Sequence, residues 1–173
     1  LFLTAGETLD FLVGRGSNGT FNADSTGLAV TLTAPVFNLA DGDVAGLIAA
    51  IICANASGGP TMINLAPNGT YTLTSVAYDE GSYYGGPVGL PWVLSQLTIK
   101  GNGATIQRSS APGTPPFRIL GLSWADCASC GHSLTLDGVT IKGGYVPSNS
   151  GGGLEIYGVV TALFKNKTIT ENY

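Results

Sequence analysis

The sequence predicts an all-β fold, a parallel β-helix (solenoid) of short stacked strands with one α-helix covering its N-terminal end. Three observations predict it. Short apolar-polar-apolar units such as Leu-Thr-Ile recur after residue 60, Gly and Asn separate them, and only 10% of the 173 residues are charged, against about 25% in an average domain. Units this short are typical of solenoid strands. Stacked strands repeat about every 4.8 Å, so like charges in register on them would repel one another.

The composition excludes several other classes. The 26 glycines have no period of three, which excludes collagen, and 44% hydrophobic residues argue against disorder. A formal net charge of −4 offers no basic face to nucleic acid. The longest apolar run, residues 44–54, is shorter than the roughly 20 residues that span a bilayer. We therefore expect neither a nucleic-acid partner nor a membrane span.

Residues 1–40 are predicted to form a separate N-terminal unit. Apolar and polar residues alternate over 9–13 and again over 28–32, and a turn-rich segment lies between them. This pattern predicts either a β-hairpin or the tail of a preceding β module. Because the chain begins at Leu1 rather than at Met, we expect a processed or excised piece of a longer protein.

Residues 43–56 are predicted to form the capping helix. Asp41 or Asp43 can accept hydrogen bonds from the free N–H groups of its first turn. Apolar residues recur at helical spacing, and a Gly-Gly-Pro sequence at 58–60 ends the run. Because alanines occupy the other side, we expect most of the helix to be buried, with Cys53 in the core as a small apolar side chain.

Residues 41–173 are predicted to form the β-helix, because a repeat runs through them. Segment 97–106 aligns with 134–141 if a two-residue insertion is allowed, and 162–169 follows 28 residues after the second copy. Each copy contains inward apolar positions, a Gly or Asn corner, and a Thr-Ile strand. A period of about 20–30 residues is typical of such repeats. The predicted strands are 62–65, 71–74, 97–100, 104–107, 117–120, 134–136, 139–142, 154–157, 161–164 and 168–170.

Residues 45–51 read Ala-Gly-Leu-Ile-Ala-Ala-Ile, and with the strands after them they carry a family resemblance. Segment 41–141 resembles the beginning of CSLREAI-type right-handed parallel β-helix surface proteins, related to polymorphic outer-membrane-protein repeats. The segments that follow the family pattern are 54–55, 59–65, 69–74, 97–106 and 134–141. The positions that depart from the motif are Ala45, Gly46, Ile48 and Ala49, in place of Cys, Ser, Arg and Glu.

The resemblance implies a right-handed β-helix and a secreted or cell-surface bacterial protein. With the composition, it predicts a structural or adhesive module, located extracellularly or at the cell surface. Residues 160–173 complete a strand unit. The strands of this last turn of the β-helix, its last rung, are predicted to be open, with backbone N–H and C=O groups that no further strand pairs. An open rung is a template for pairing with another chain, so we expect self-association through it, up to an end-to-end filament.

Aromatic residues in Gly- and Pro-rich loops are the candidate ligand contacts. We predict that they stack on the faces of sugar rings, so a polysaccharide is a candidate partner; alternatively, they fold back over the strands. The predicted glycan-contacting residues are Tyr83, Tyr84, Trp92 and Trp124.

Cys127 and Cys130 form a C-x-x-C pair close to His132. The open alternatives are a local disulfide, two free thiols, and a metal site. A structural zinc site uses four ligands, so the disulfide is the favoured interpretation and no metal site is predicted. His132 is the sole histidine, which argues against a Ser-His-Asp or Cys-His catalytic unit.

The alternative function is a polysaccharide-active enzyme, either a lyase or a glycoside hydrolase with a site in a groove. Hydrolysis needs paired carboxylates, and the candidates are Asp41 with Asp43 and Asp79 with Glu80. Only this alternative implies a cofactor, Ca²⁺; otherwise none is expected. The charged residues near predicted strands are Lys100, Arg108, Arg118, Asp137 and Lys142.

Overall fold

A computed structural model of the chain describes residues 34–79, 86–123, 131–147, 151–158 and 160–173. The predicted hairpin or β module within 1–33 lies outside this part. One helix and eleven strands occur in the described residues. They are β1 (Val36–Asn38), α1 (Val44–Ser57), β2 (Pro60–Asn64), β3 (Thr70–Leu73), β4 (Gln96–Lys100), β5 (Thr105–Arg108), β6 (Leu120–Ser123), β7 (Ser133–Asp137), β8 (Thr140–Lys142), β9 (Leu154–Tyr157), β10 (Thr161–Lys165) and β11 (Thr168–Thr170).

The strands form three parallel sheets. The first sheet has the order β1-β2-β4-β7-β10, the second β11-β8-β5-β3, and the third contains β6 and β9. After β2, β4, β7 and β10 the chain passes each time to a strand of the second sheet. Neighbouring strands in one sheet are therefore distant in sequence, which is what parallel pairing requires.

The predicted all-β β-helix class is wrong. The chain is mixed α/β, with parallel sheets, one helix and 41% strand, and no closed solenoid is found in the part that the structure describes. The predicted helix is more than a cap, because α1 is 14 residues long and adds four buried residues to the same core as the sheets. Short repeated units specify which strands pair, but they do not specify closure of the three sheets around that core.

The predicted alignment of the three repeats is confirmed by the register of the strands. Leu97 pairs with Leu134, which in turn pairs with Ala162 in the first sheet. In the second sheet Ile106 pairs with Ile141. On the inner strands of these two sheets such positions alternate with outward ones, so one side of each of the two sheets faces the core.

Close-packed corners connect the first sheet to the second. Asn68, Asn102 and Asn166 have φ angles of 55°, 50° and 46°, the left-handed conformation that Asn tolerates. The Asn102 side chain also donates to the Leu65 carbonyl at 2.9 Å. A Cβ atom on Gly101 would lie 2.3 Å from the carbonyl oxygen of the next corner, so only Gly fits there.

The helix begins and ends as its local sequence predicts. The Asp43 carboxylate accepts from the Gly46 N–H at 2.8 Å, and Gly58 ends the helix with a φ angle of 64°. Asp41, the other candidate cap, instead accepts from the Thr70 N–H at 2.7 Å. No helix in the described ranges is long and apolar enough to cross a membrane.

The expectation that most of α1 is buried is wrong. Its buried residues are Leu47, Ala50, Ile51 and Ala54. Cys53, predicted in the core, is exposed, and Ile52 is 56% exposed. The helix contacts β2, β3 and β4 with one face only, so its opposite face remains at the surface although it too is apolar.

The strand predicted at 117–120 lies three residues later, as β6. Phe117 and Arg118 form isolated bridges with Tyr145 and Val88, whereas regular pairing with β9 begins at Leu120. Apolar content alone therefore misplaced this strand.

Candidate functional site

All three sheets finish at the same end of the described chain. The final strands are β10 in the first sheet, β11 in the second and β9 in the third. We call residues 154–157, 161–165 and 168–170 the C-terminal edge. Each of its strands pairs on one side, and none pairs on the other side with a strand that the structure describes.

Burial falls sharply at the C-terminal edge. In the second sheet Ile106 and Ile141 are both 0% exposed, whereas Ile169, which pairs with Ile141, is 44% exposed. Leu163, on the outward side of the first sheet, and Ile156, which pairs with fully buried Leu122 in the third sheet, are each 45% exposed. The edge therefore exposes apolar side chains, and two of them, Ile156 and Ile169, occupy positions that are buried on the strands they pair with.

The backbone of β10 also has polar groups on the side that faces away from its neighbour β7. The Thr161 N–H donates to the His132 carbonyl at 3.2 Å, and the Lys165 carbonyl accepts from Gly138 at 3.1 Å. Because successive residues in a strand direct their groups to opposite sides, the N–H and C=O groups of Ala162 and Phe164 point away from β7. Such a row of groups can pair with a further strand.

Charges on the outward side of the first sheet alternate along the pairing direction. Lys100 pairs with Asp137, which pairs with Lys165. Asn166 donates to the Asp137 carboxylate at 3.0 Å. Exposed Lys165 and Lys167 therefore give the C-terminal edge a positive corner beside its apolar side chains.

Exposed apolar side chains also occur at the opposite edge of the first sheet and on α1. Among the described residues β1 is the edge strand of that sheet, and Val36 is 53% exposed. We call β1 and the exposed side of α1 the N-terminal face. The exposed residues of α1 in this face are Ala45, Ala49, Ile52, Cys53 and Ala56. The signal for this surface was present in the sequence, since the helix is apolar on all sides and only one side can contact the sheets.

A partly buried ion pair connects Arg118 to β9 of the third sheet. Arg118 is 0% exposed, and its guanidinium donates to the Glu155 carboxylate on β9. Burial lowers the pKa of Arg118, while the charge of Glu155 and the hydrogen bond to it act in the opposite direction. Glu155 therefore fixes β9 to the interior.

Of the predicted glycan-contacting residues and the cysteine pair, the structure describes Trp92. Its side chain is only 7% exposed, so the prediction of an exposed Trp92 ring is wrong. Its ring packs against Gly121, where an added Cβ would lie 2.4 Å from ring carbon Cε3. The predicted residues that lie outside the described residues are Tyr83, Tyr84, Trp124, Cys127 and Cys130.

His132 is buried, and its Nδ1 lies 2.8 Å from the Ser123 carbonyl oxygen. Nothing in this contact joins it to the cysteine pair, which the structure does not describe. The favoured disulfide stays a prediction, with two free thiols and a metal site as the alternatives left open.

The charged residues of the enzyme alternative are engaged separately. Arg108 donates from Nε to the Pro115 carbonyl at 2.8 Å, and so fastens the loop after β5. Lys142 pairs with Glu171 at 3.2 Å. Of the candidate carboxylate pair Asp79 and Glu80, the second lies outside the described residues. Within the described ranges, no three His, Cys, Asp or Glu residues are grouped so that they could hold a metal ion.

Comparison with known proteins yields no relative. No family model matches the chain, and no match is found among curated proteins or solved structures. The resemblance to CSLREAI-type proteins therefore stays a prediction from the residues that carry it, and function has to be argued from the two exposed ends of the sheets.

Proposed function

We propose that the chain is a structural and adhesive module, secreted or held at a bacterial cell surface, which associates through its C-terminal edge. The observation that carries this proposal is the exposure of Ile169 in a position where Ile106 and Ile141 are fully buried. An apolar side chain in register with a core column, next to unpaired backbone groups, is suited to receive another strand.

The size of the exposed surface favours weak, concentration-dependent association. Full burial of an Ile or Leu side chain contributes about 1.5–3 kcal/mol. Ile156, Leu163 and Ile169 are each slightly under half exposed, so covering them contributes about 1 kcal/mol per side chain. Backbone hydrogen bonds add about 1 kcal/mol each. The sum is comparable with the lower end of the roughly 4–15 kcal/mol that association costs.

The engagement of the charged side chains supports a structural rather than a catalytic role. Asp43 caps α1, Arg108 holds a loop, and Glu155 neutralises a buried arginine. Each of these groups stabilises the scaffold at a separate place. Contact with glycans through Tyr83, Tyr84 and Trp124 remains part of the proposal.

Sedimentation velocity over a range of concentrations tests the proposal. The wild-type chain is expected to sediment faster as its concentration rises. Leu163→Lys places a charge on the edge strand and is expected to abolish the increase, because charged edges resist pairing. Gln96→Lys adds the same charge to the same outward side of the sheet, on inner strand β4, and is expected to behave as wild type.

A wild-type chain that stays monomeric at every concentration would overturn the proposal. Equal losses of association in Leu163→Lys and Gln96→Lys would also contradict it, since the effect would then follow net charge rather than the C-terminal edge.

A further inference from the structure

We infer that the C-terminal edge of one copy binds the N-terminal face of a second copy of this chain, so that copies join head to tail. This inference rests on the proposed association through the C-terminal edge and names its partner. Three independent features of the two surfaces support it: strand register, apolar shape and charge.

The register of the first sheet continues from one copy to the next. Val36 of β1 pairs with Met62, and the same outward column ends at Leu163 of β10. Stacking β1 of a second copy on β10 in this register sets its Val36 beside Leu163 and its Phe37 beside Phe164. Val36 and Leu163 are 53% and 45% exposed, so each covers the apolar surface of the other.

The inward-facing residues that pair across the first sheet also continue into the second copy. Phe37 and Phe164 occupy the two ends of this column and are only partly buried, whereas Ile63, Ile99 and Leu136 between them are 0% exposed. A second copy therefore gives each terminal Phe the neighbour that every inner position already has. The continued column consists of apolar residues throughout.

In the inferred arrangement the exposed side of α1 covers the remainder of the C-terminal edge. In the second and third sheets the exposed apolar side chains are Ile169 and Ile156. The opposing helix face has Ile52 surrounded by Ala and Cys side chains. Small side chains let a strand backbone approach closely, and the large exposed residues of both surfaces become buried together.

Close to the two edge strands of the first sheet, the nearest charges are opposite in sign. Lys165 and Lys167 lie at the end of β10 and just after it, while Asp41 and Asp43 follow β1 directly. In the continued register Lys165 comes opposite Asn38 of the second copy, which brings Lys167 towards the Asp41 of that copy.

An interface between two different surfaces has a defined consequence. As far as the described residues show, each copy still offers one unpaired C-terminal edge and one exposed N-terminal face, so addition continues unless the rotation closes a ring. The expected product is an open chain of copies rather than a dimer.

Blocking each surface separately tests the inference. Leu163→Lys blocks the C-terminal edge, and Ile52→Lys blocks the N-terminal face at a residue that is 56% exposed. Each variant alone is expected to lose association, with an apparent Kd raised about ten-fold or more. A 1:1 mixture is expected to form dimers and nothing larger, because one edge and one face remain intact. Gln96→Lys is the control, and circular dichroism checks folding.

The outcomes separate the two proposals. If wild type associates and Ile52→Lys associates equally well, the N-terminal face is not the partner, and the inference fails while association through the edge stands. A mixture without dimers would overturn the inference as well. If wild type never associates, the proposed function itself fails.

Alkylation of Cys53 gives a readout on the unmodified protein. This exposed thiol lies in the N-terminal face, so its alkylation, followed by peptide mass spectrometry, is expected to slow several-fold as the concentration rises and association proceeds. An unchanged rate in the associated protein would contradict burial of this face between copies.

Discussion

Substituting Ala for two paired isoleucines of the second sheet compares the burial of an inner strand with that of the C-terminal edge. Ile141 and Ile169 pair with each other on β8 and β11 and share the inward side of the second sheet. Ile141 is 0% exposed and Ile169 is 44% exposed. The substitutions Ile141→Ala and Ile169→Ala therefore remove identical atoms from positions that differ in burial.

The expected losses follow from that difference. Ile→Ala in a core costs about 2–5 kcal/mol, because apolar burial is lost and a cavity remains. For Ile141 we expect about 3 kcal/mol. Ile169 retains about half of this burial and its loss leaves an open notch rather than a cavity, so we expect about 1 kcal/mol.

Urea unfolding at low protein concentration measures both losses on the monomer. The free energy of unfolding is obtained from the midpoint and slope for wild type and both variants. Equal losses for Ile141→Ala and Ile169→Ala would refute the reasoning, because Ile169 would then be as fully covered as an inner residue. At high concentration the Ile169→Ala loss is expected to grow, since association buries the side chain.

Three further predictions concern contacts within the scaffold. Glu155→Gln removes the charge beside buried Arg118 and is expected to lower the free energy of unfolding by about 3 kcal/mol. The double variant with Arg118→Met is expected to recover part of this loss. If the losses of the two single variants simply add in the double variant, the ion pair does not stabilise the fold. Asp43→Ala removes the acceptor at the start of α1 and is expected to cost about 1 kcal/mol; an unchanged melting curve would show that the cap is not needed. Gly101→Ala introduces a Cβ 2.3 Å from a backbone oxygen and is expected to cost at least about 1–3 kcal/mol. The control is Gly59→Ala, whose added Cβ meets no atom closer than 4.0 Å and which is expected to change the free energy of unfolding by no more than about 0.5 kcal/mol. Equal effects of Gly101→Ala and Gly59→Ala would contradict the close contact at Gly101.

Local signals explain the parts of the fold that could be predicted. The cap at Asp43 and the left-handed Gly58 lie within the chain segment that they terminate, so the helix limits followed from sequence. The pairing of Leu97 with Leu134 and of Leu134 with Ala162 also followed, because apolar alternation with Gly or Asn corners specifies register.

Position in the tertiary structure explains what could not be predicted. The apolar side of α1 that carries Ile52 has the same composition as its buried side, and only contact with the sheets distinguishes them. Trp92 lies in a Pro-containing segment typical of exposed loops, yet the absence of a side chain at Gly121 makes room for its ring. The fold class was wrong for the same reason, since closure of the sheets is not a local property.

Hydrogen exchange at β10 tests most directly whether the C-terminal edge pairs with another chain. The amides of Ala162 and Phe164 point away from β7, whereas the Thr161 amide already donates within the sheet. Exchange at Ala162 and Phe164 is predicted to slow as protein concentration rises, while exchange at Thr161 changes little. Rapid exchange at Ala162 and Phe164 at every concentration would contradict the account.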